Sequence, residues 1–127
     1  MVQVNSEDLI KALKRFKGLA KQDLLSSELT PDPAFWRTHA EARRTEYKRL
    51  IEIIKDSGVE NACVYAFHTY ESLPTIDETM NLPEYKGREQ ALELFFQILG
   101  VGPIQLRSAR SGHSALKFAT ELSQQRM

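Results

Sequence analysis

One long helical stripe in the first half of the chain constrains its fold more than any other feature. The stripe consists of Trp36, Ala40, Arg43, Tyr47, Leu50 and Ile54, spaced alternately four and three residues apart. Because this spacing places side chains on one face of an α-helix, the pattern predicts a helix over 33–57. Asp32 as an N-cap, Pro33 in the first turn and Gly58 at the end agree with those limits.

Similar stripes on both sides predict a helical fold for the whole chain. We expect helices over about 6–25 with Ser6 as the N-cap, over 59–73, over 88–99, and after about 114. The fold class predicted is all-α, an irregular bundle of four to five helices. The length of 127 residues fits one domain spanning 1–127.

Two segments leave an α+β alternative open. Residues 62–70 contain many β-branched and aromatic residues, and 104–118 includes a short apolar run and a Ser-Gly pair that could turn a hairpin. These segments could form a small sheet. Between them, 74–87 contains two prolines and reads as a long connection before the next helix.

Composition indicates a soluble, cytoplasmic protein that does not enter a membrane. The chain has no basic, apolar leader at its start and no apolar run long enough to span a bilayer. Its single cysteine, Cys63, cannot form an internal disulfide and lies among apolar neighbours, which indicates a buried thiol. Seventeen basic and seventeen acidic residues cancel, but the two ends are basic and the middle is acidic.

Metal and cofactor chemistry have little support in the sequence. The histidines His39, His68 and His113 fall in three different predicted elements, and the sequence contains no His-x-x-x-His, Glu-x-x-His or Cys-x-x-Cys pair. The segment 100–103 lacks the third glycine of a phosphate-binding loop, and Pro103 has no N–H to donate. We therefore expect neither a metal nor a cofactor.

A polar cluster near the C-terminus is a candidate anion site. Arg107, Arg110, Ser111 and His113 directly precede the last predicted helix, where unpaired backbone N–H groups favour a phosphate or carboxylate. Together with cations of the first two helices, the cluster would bind an anionic ligand or nucleic acid. Nucleic acid is less favoured, because the chain is neutral overall and the face Arg37, Glu41, Arg44 and Lys48 also fits an exposed ion-pair ladder.

A possible pocket is indicated where a charge interrupts the long stripe. Arg43 must pair, reach solvent or face a cavity, and His39 and Trp36 lie within two turns of it on the same helix. With an acid from elsewhere, these residues would form an Arg/His-lined pocket. A small helical enzyme is the hypothesis that follows from this pocket.

The helix predicted over 88–99 is apolar almost all round, which is typical of a central helix or of half an oligomer interface. Phe95, Phe96 and Leu99 are the candidate interface residues. The hypothesis that the sequence favours is therefore a non-catalytic regulatory or protein-interaction module, with a protein partner or a second copy of itself.

Overall fold

The computed structural model describes residues 5–73, 82–102, 104–106 and 108, and it is all-α, as the sequence predicts. No strand occurs among these residues. The helices are α1 (Ser6–Ser26), α2 (Pro33–Ser57), α3 (Val59–Ser72) and α4 (Pro83–Ile98), and a short 3-10 turn (Ser27–Leu29) connects α1 to α2.

Short-range capping fixes the starts of the first two long helices. The side chain of Asn5, rather than Ser6, caps α1 by accepting a 2.7 Å hydrogen bond from the N–H of Glu7. Asp32 Oδ1 accepts a 3.2 Å hydrogen bond from the N–H of Phe35, as the sequence predicts for the start of α2. The observed limits of α2 are the predicted ones.

The α+β alternative is wrong where the structure describes it. Residues 62–70 lie within α3, and 104–106 are helical. The β-branched and aromatic residues of α3 do not override the helical period, because Ala62, Ala66 and Tyr70 are buried on one face. Residues 107 and 109–118, the rest of the proposed sheet, lie outside the described residues.

Helix α4 begins five residues earlier than the apolar pattern predicts. Pro83 occupies its first turn, where the missing N–H costs no hydrogen bond, so 83–87 is helical rather than part of a long connection. The helix ends at a glycine-dependent turn. Gly100 has φ +92°, and the N–H of Val101 bonds the carbonyl of Phe96 at 2.9 Å.

Helix α2 is the centre of the described structure, in contact with α1, α3 and α4. Helix α4 approaches α2 closely at Gly87, which lies directly against the backbone carbonyl of His39 and the side chain of Ala42. Buried side chains of all four helices then form one apolar core around Tyr47, Leu50 and their neighbours. Within the described ranges, no helix has both the length and the apolar character needed to cross a membrane.

Candidate functional site

Buried polar side chains of the described residues are concentrated on α2. His39, Arg43 and Glu46 are buried side chains of this helix and are at most 9% exposed. The sequence singled out His39 and Arg43 but not Glu46. A signal for Glu46 existed, because it stands three residues after Arg43 and four before Leu50, at the spacing of a buried helix face.

Arg43 is held by an acid that the sequence alone could not identify. Its Nη2 donates a 2.6 Å hydrogen bond to Oδ2 of Asp23, near the end of α1. The Arg43 side chain is 11% exposed and that of Asp23 is 60% exposed, so the pair connects the interior to the surface. Nε of Arg43 and Nδ1 of His39 are buried without a hydrogen-bond partner among the described residues.

The ring of His39 packs against two aromatic side chains of the same helix. Its centroid lies 5.2 Å from that of Trp36 and 6.1 Å from that of Phe35. Burial lowers the pKa of His39, the cations Arg43 and Lys86 lower it further, and Asp23 opposes them. Burial and the two cations therefore favour the neutral form of the imidazole. The structure brings His39, Arg43 and Trp36 together along α2, but none of them lines the two clefts described below.

Glu46 joins three helices through its carboxylate. Oε2 accepts a 2.7 Å hydrogen bond from the hydroxyl of Tyr65 on α3, and Oε1 accepts a 3.0 Å hydrogen bond from Nε of Arg88 on α4. Burial and the adjacent carboxylate raise the pKa of Tyr65, so its hydroxyl stays protonated and acts as the donor. A second tie, from Tyr70 to Glu93 at 2.7 Å, also connects α3 to α4.

A cleft of about 460 Å³ lies between α2 and α4, beside Glu46. We call it the acidic cleft, because it contains more carboxylates than cations. Its walls are formed by Thr38, Glu41, Ala42, Thr45, Glu46, Arg49, Glu84 and Arg88. Both carboxylate oxygens of Glu46 accept hydrogen bonds from the chain itself, and the side chain is only 5% exposed, which is typical of a structural role.

A second cleft, of about 370 Å³, lies between α1 and α2. We call it the basic cleft. Its walls are formed by Lys17, Leu24, Glu41, Arg44, Thr45 and Lys48. The sequence predicted that Arg44 and Lys48 belong to an ion-pair ladder with Glu41 and Arg37. In the structure Arg37 instead pairs with Glu28 at 2.7 Å, so the predicted ladder is not formed at that position.

Three large apolar side chains are exposed where α1 turns into α2. Leu25 is 72% exposed, Leu29 is 88% exposed and Trp36 is 43% exposed. The ion pair from Glu28 to Arg37 brings the turn that carries Leu29 next to the first turns of α2, where Trp36 lies. We call Leu25, Leu29 and Trp36 the apolar corner.

The residues predicted as an interface on α4 are used by the chain's own core. Phe95 and Phe96 are fully buried, and Leu99 is half-buried against the core. Their burial corrects the expectation that they form an exposed association surface. The predicted anion site, Arg107, Arg110, Ser111 and His113, lies outside the described residues.

Cys63 is a poor nucleophile in its folded position on α3. The side chain is buried, and burial raises the pKa of its thiol to about 11, so the reactive thiolate is disfavoured at neutral pH. Within the described ranges, no three histidine, cysteine or acidic side chains are grouped so that they could hold a metal ion.

Comparisons of the chain with protein-family models, with curated proteins and with solved structures gave no match.

Proposed function

We propose that this protein is a non-catalytic, regulatory or protein-interaction module that associates with a second copy of itself through the apolar corner. The observation that carries the proposal is the exposure of Leu25, Leu29 and Trp36 where α1 is connected to α2. Exposed apolar patches are typical of protein-binding sites, and these three side chains are the candidate for such a patch. Trp is also among the residues that contribute most to binding energy at interfaces.

Charge supports a second copy as the occupant. The apolar corner is flanked by one exposed acid, Glu28, and one exposed base, Arg37, which pair within the chain. In a twofold-symmetric dimer the same patch meets itself, so Glu28 of each copy can face Arg37 of the other. A surface that carries both charges and an apolar centre is thus complementary to itself.

We propose a cytoplasmic location, supported by the single free cysteine, which suits a reducing compartment.

An enzyme based on Arg43 and His39 has weaker support, because the Arg43 guanidinium is engaged by Asp23 and the two clefts are lined by other residues.

The first experiment compares association states. Light scattering after size exclusion and sedimentation equilibrium of the full chain are expected to show a concentration-dependent dimer. Leu29→Glu should abolish it, because a charge would be buried in the interface. Val64→Glu is the matched control, since Val64 is 49% exposed on α3, and it should leave the dimer intact. A monomeric wild-type chain at high concentration contradicts the proposal.

A charge exchange tests whether the apolar corner meets itself. Glu28→Arg and Arg37→Glu should each weaken the homodimer, because like charges would then face each other. Mixing the two variants should restore dimers, since the new arginine of one chain would then face the new glutamate of the other, and the native Arg37 would face the native Glu28. Equal association of the separate and mixed variants would show that dimerisation uses another surface.

A further inference from the structure

The residues that line the basic cleft are spaced at helical intervals on both α1 and α2. On α1, Lys17 and Leu24 lie seven residues apart, which is two helical turns. On α2, Glu41, Arg44 and Lys48 follow the spacing of one helix face. Two packed helices therefore hold these groups in place, so the cleft does not depend on a loop.

The cations of the basic cleft are available to a ligand. Lys17, Arg44 and Lys48 take part in no ion pair with any residue that the structure describes. The two acids that follow Lys17 in the sequence, Asp23 and Glu28, do not neutralise these cations. Asp23 pairs with Arg43, and Glu28 pairs with Arg37. The walls of this cleft thus contain three cations and a single carboxylate, that of Glu41.

The two clefts of α2 differ in the sign of their charge. The acidic cleft has three carboxylates and two arginines in its walls, and one of these arginines, Arg88, is paired with Glu46. Glu41 and Thr45 line both clefts, so they form the ridge between them. An anion approaching α2 is therefore attracted more strongly to the side that faces α1 than to the side that faces α4.

We infer that the basic cleft binds a small molecule that carries phosphate groups. The guanidinium of Arg44 offers donors suited to phosphate oxygens, the ammonium groups of Lys17 and Lys48 add charge, and the Thr45 hydroxyl adds a donor. The volume of about 370 Å³ is in the range of small-molecule sites. This function goes beyond self-association and uses none of the residues of the apolar corner.

The probe for the test is inorganic tripolyphosphate, titrated into the full chain by isothermal calorimetry at low and moderate salt. One site per chain is expected, with an affinity that falls as salt rises. The double variant Arg44→Gln with Lys48→Gln should lower the affinity at least about tenfold, because two charged hydrogen-bond donors are lost. Both side chains are exposed, so the fold should survive, and circular dichroism verifies this.

Two further variants separate a site from general electrostatic attraction. Lys11→Gln with Lys55→Gln removes the same charge from exposed positions of α1 and α2 outside the cleft and should change the affinity less than about twofold. Glu41→Gln removes the single negative charge of the cleft and should raise the affinity several-fold.

Equal losses of tripolyphosphate affinity in the two double variants would overturn the assignment of the site to the basic cleft. Tighter binding of a single-stranded oligonucleotide than of tripolyphosphate, abolished by the same cleft variant, would overturn the small-molecule ligand in favour of nucleic acid. The Leu29→Glu variant, which should not dimerise, should bind tripolyphosphate as the wild type does. Ligand binding and dimer formation can therefore fail independently.

Discussion

Nη2 of Arg43 donates a 2.6 Å hydrogen bond to Oδ2 of Asp23, and this ion pair ties the centre of α2 to the end of α1. The arginine is nearly buried while the aspartate is mostly exposed. The two partners therefore contribute unequally, because the loss of the acid leaves a buried charge uncompensated, whereas the loss of the base leaves only an exposed carboxylate.

Asp23→Asn is expected to lower the free energy of unfolding by about 1–2 kcal/mol, since Arg43 keeps its charge without a counterion. Arg43→Met should change stability by less than about 1 kcal/mol, because an apolar chain of similar length replaces the buried cation. Urea unfolding measures both. Asp56→Asn, at an exposed position of α2, is the control, and an equal loss there would contradict a special role for Asp23.

Glu46→Ala should be among the most destabilising changes to a polar residue, with a loss of about 3 kcal/mol, because Arg88 and Tyr65 lose their buried acceptor together. Tyr65→Phe should cost about 1 kcal/mol by removing one hydrogen bond. In the double variant Glu46→Ala with Tyr65→Phe, the Tyr65 substitution should lower the free energy of unfolding little beyond the effect of Glu46→Ala alone. Fully additive losses in this cycle would show that the two side chains are not coupled.

Gly87→Ala is expected to destabilise the protein by about 1–3 kcal/mol, because the added methyl group would overlap the backbone carbonyl of His39 and force α4 away from α2. Gly18→Ala is the matched helical control. Nothing lies within 4 Å of a Cβ at that position of α1, so alanine should stabilise by about 0.5–1 kcal/mol. Thermal unfolding of both variants checks the opposite signs, and the same sign for both would contradict the close packing.

Stability should fall in mild acid because of His39. Its pKa in the folded chain is lower than the ordinary value of 6.5, so below that pH the unfolded chain binds a proton that the folded chain does not. The stabilising contribution is therefore complete above about pH 6.5 and decreases as the pH falls through the unfolded pKa towards the folded one.

The measurement is urea unfolding at about pH 7.5 and about pH 5.5. The difference between the free energies of unfolding at the two pH values should be smaller in His39→Gln than in the wild type. His68→Gln, at an exposed position of α3, should retain the wild-type difference. If the His39 variant shows the same pH dependence as the wild type, another group is responsible.

Helix positions were largely predictable from the sequence, because they depend on interactions between residues close along the chain. The limits of α2 follow from Asp32, Pro33 and Gly58, and its buried face follows from the stripe of apolar residues. The start of α4 was missed, since Pro83 precedes the apolar stretch and the first turn itself is polar.

The candidate sites were less predictable. The sequence identified Arg43 as a residue that needs a partner, but Asp23 and Lys86 come near the pair of Arg43 and His39 only through the packing of α1 and α4 on α2. The basic cleft likewise combines Lys17 of α1 with cations of α2 that are distant along the chain and adjacent only in space.

Among the described residues, the sequence by itself thus determined most of the helical segments and their apolar faces, because caps and periodicity act over a few residues. Only the tertiary structure decided which apolar surface stays exposed and which charges of the described residues pair. Phe95 and Phe96 are apolar and fully buried, whereas Leu29 is apolar and 88% exposed, and no local rule separates them. The difference arises from which helices pack together, and that choice depends on contacts between residues far apart along the chain.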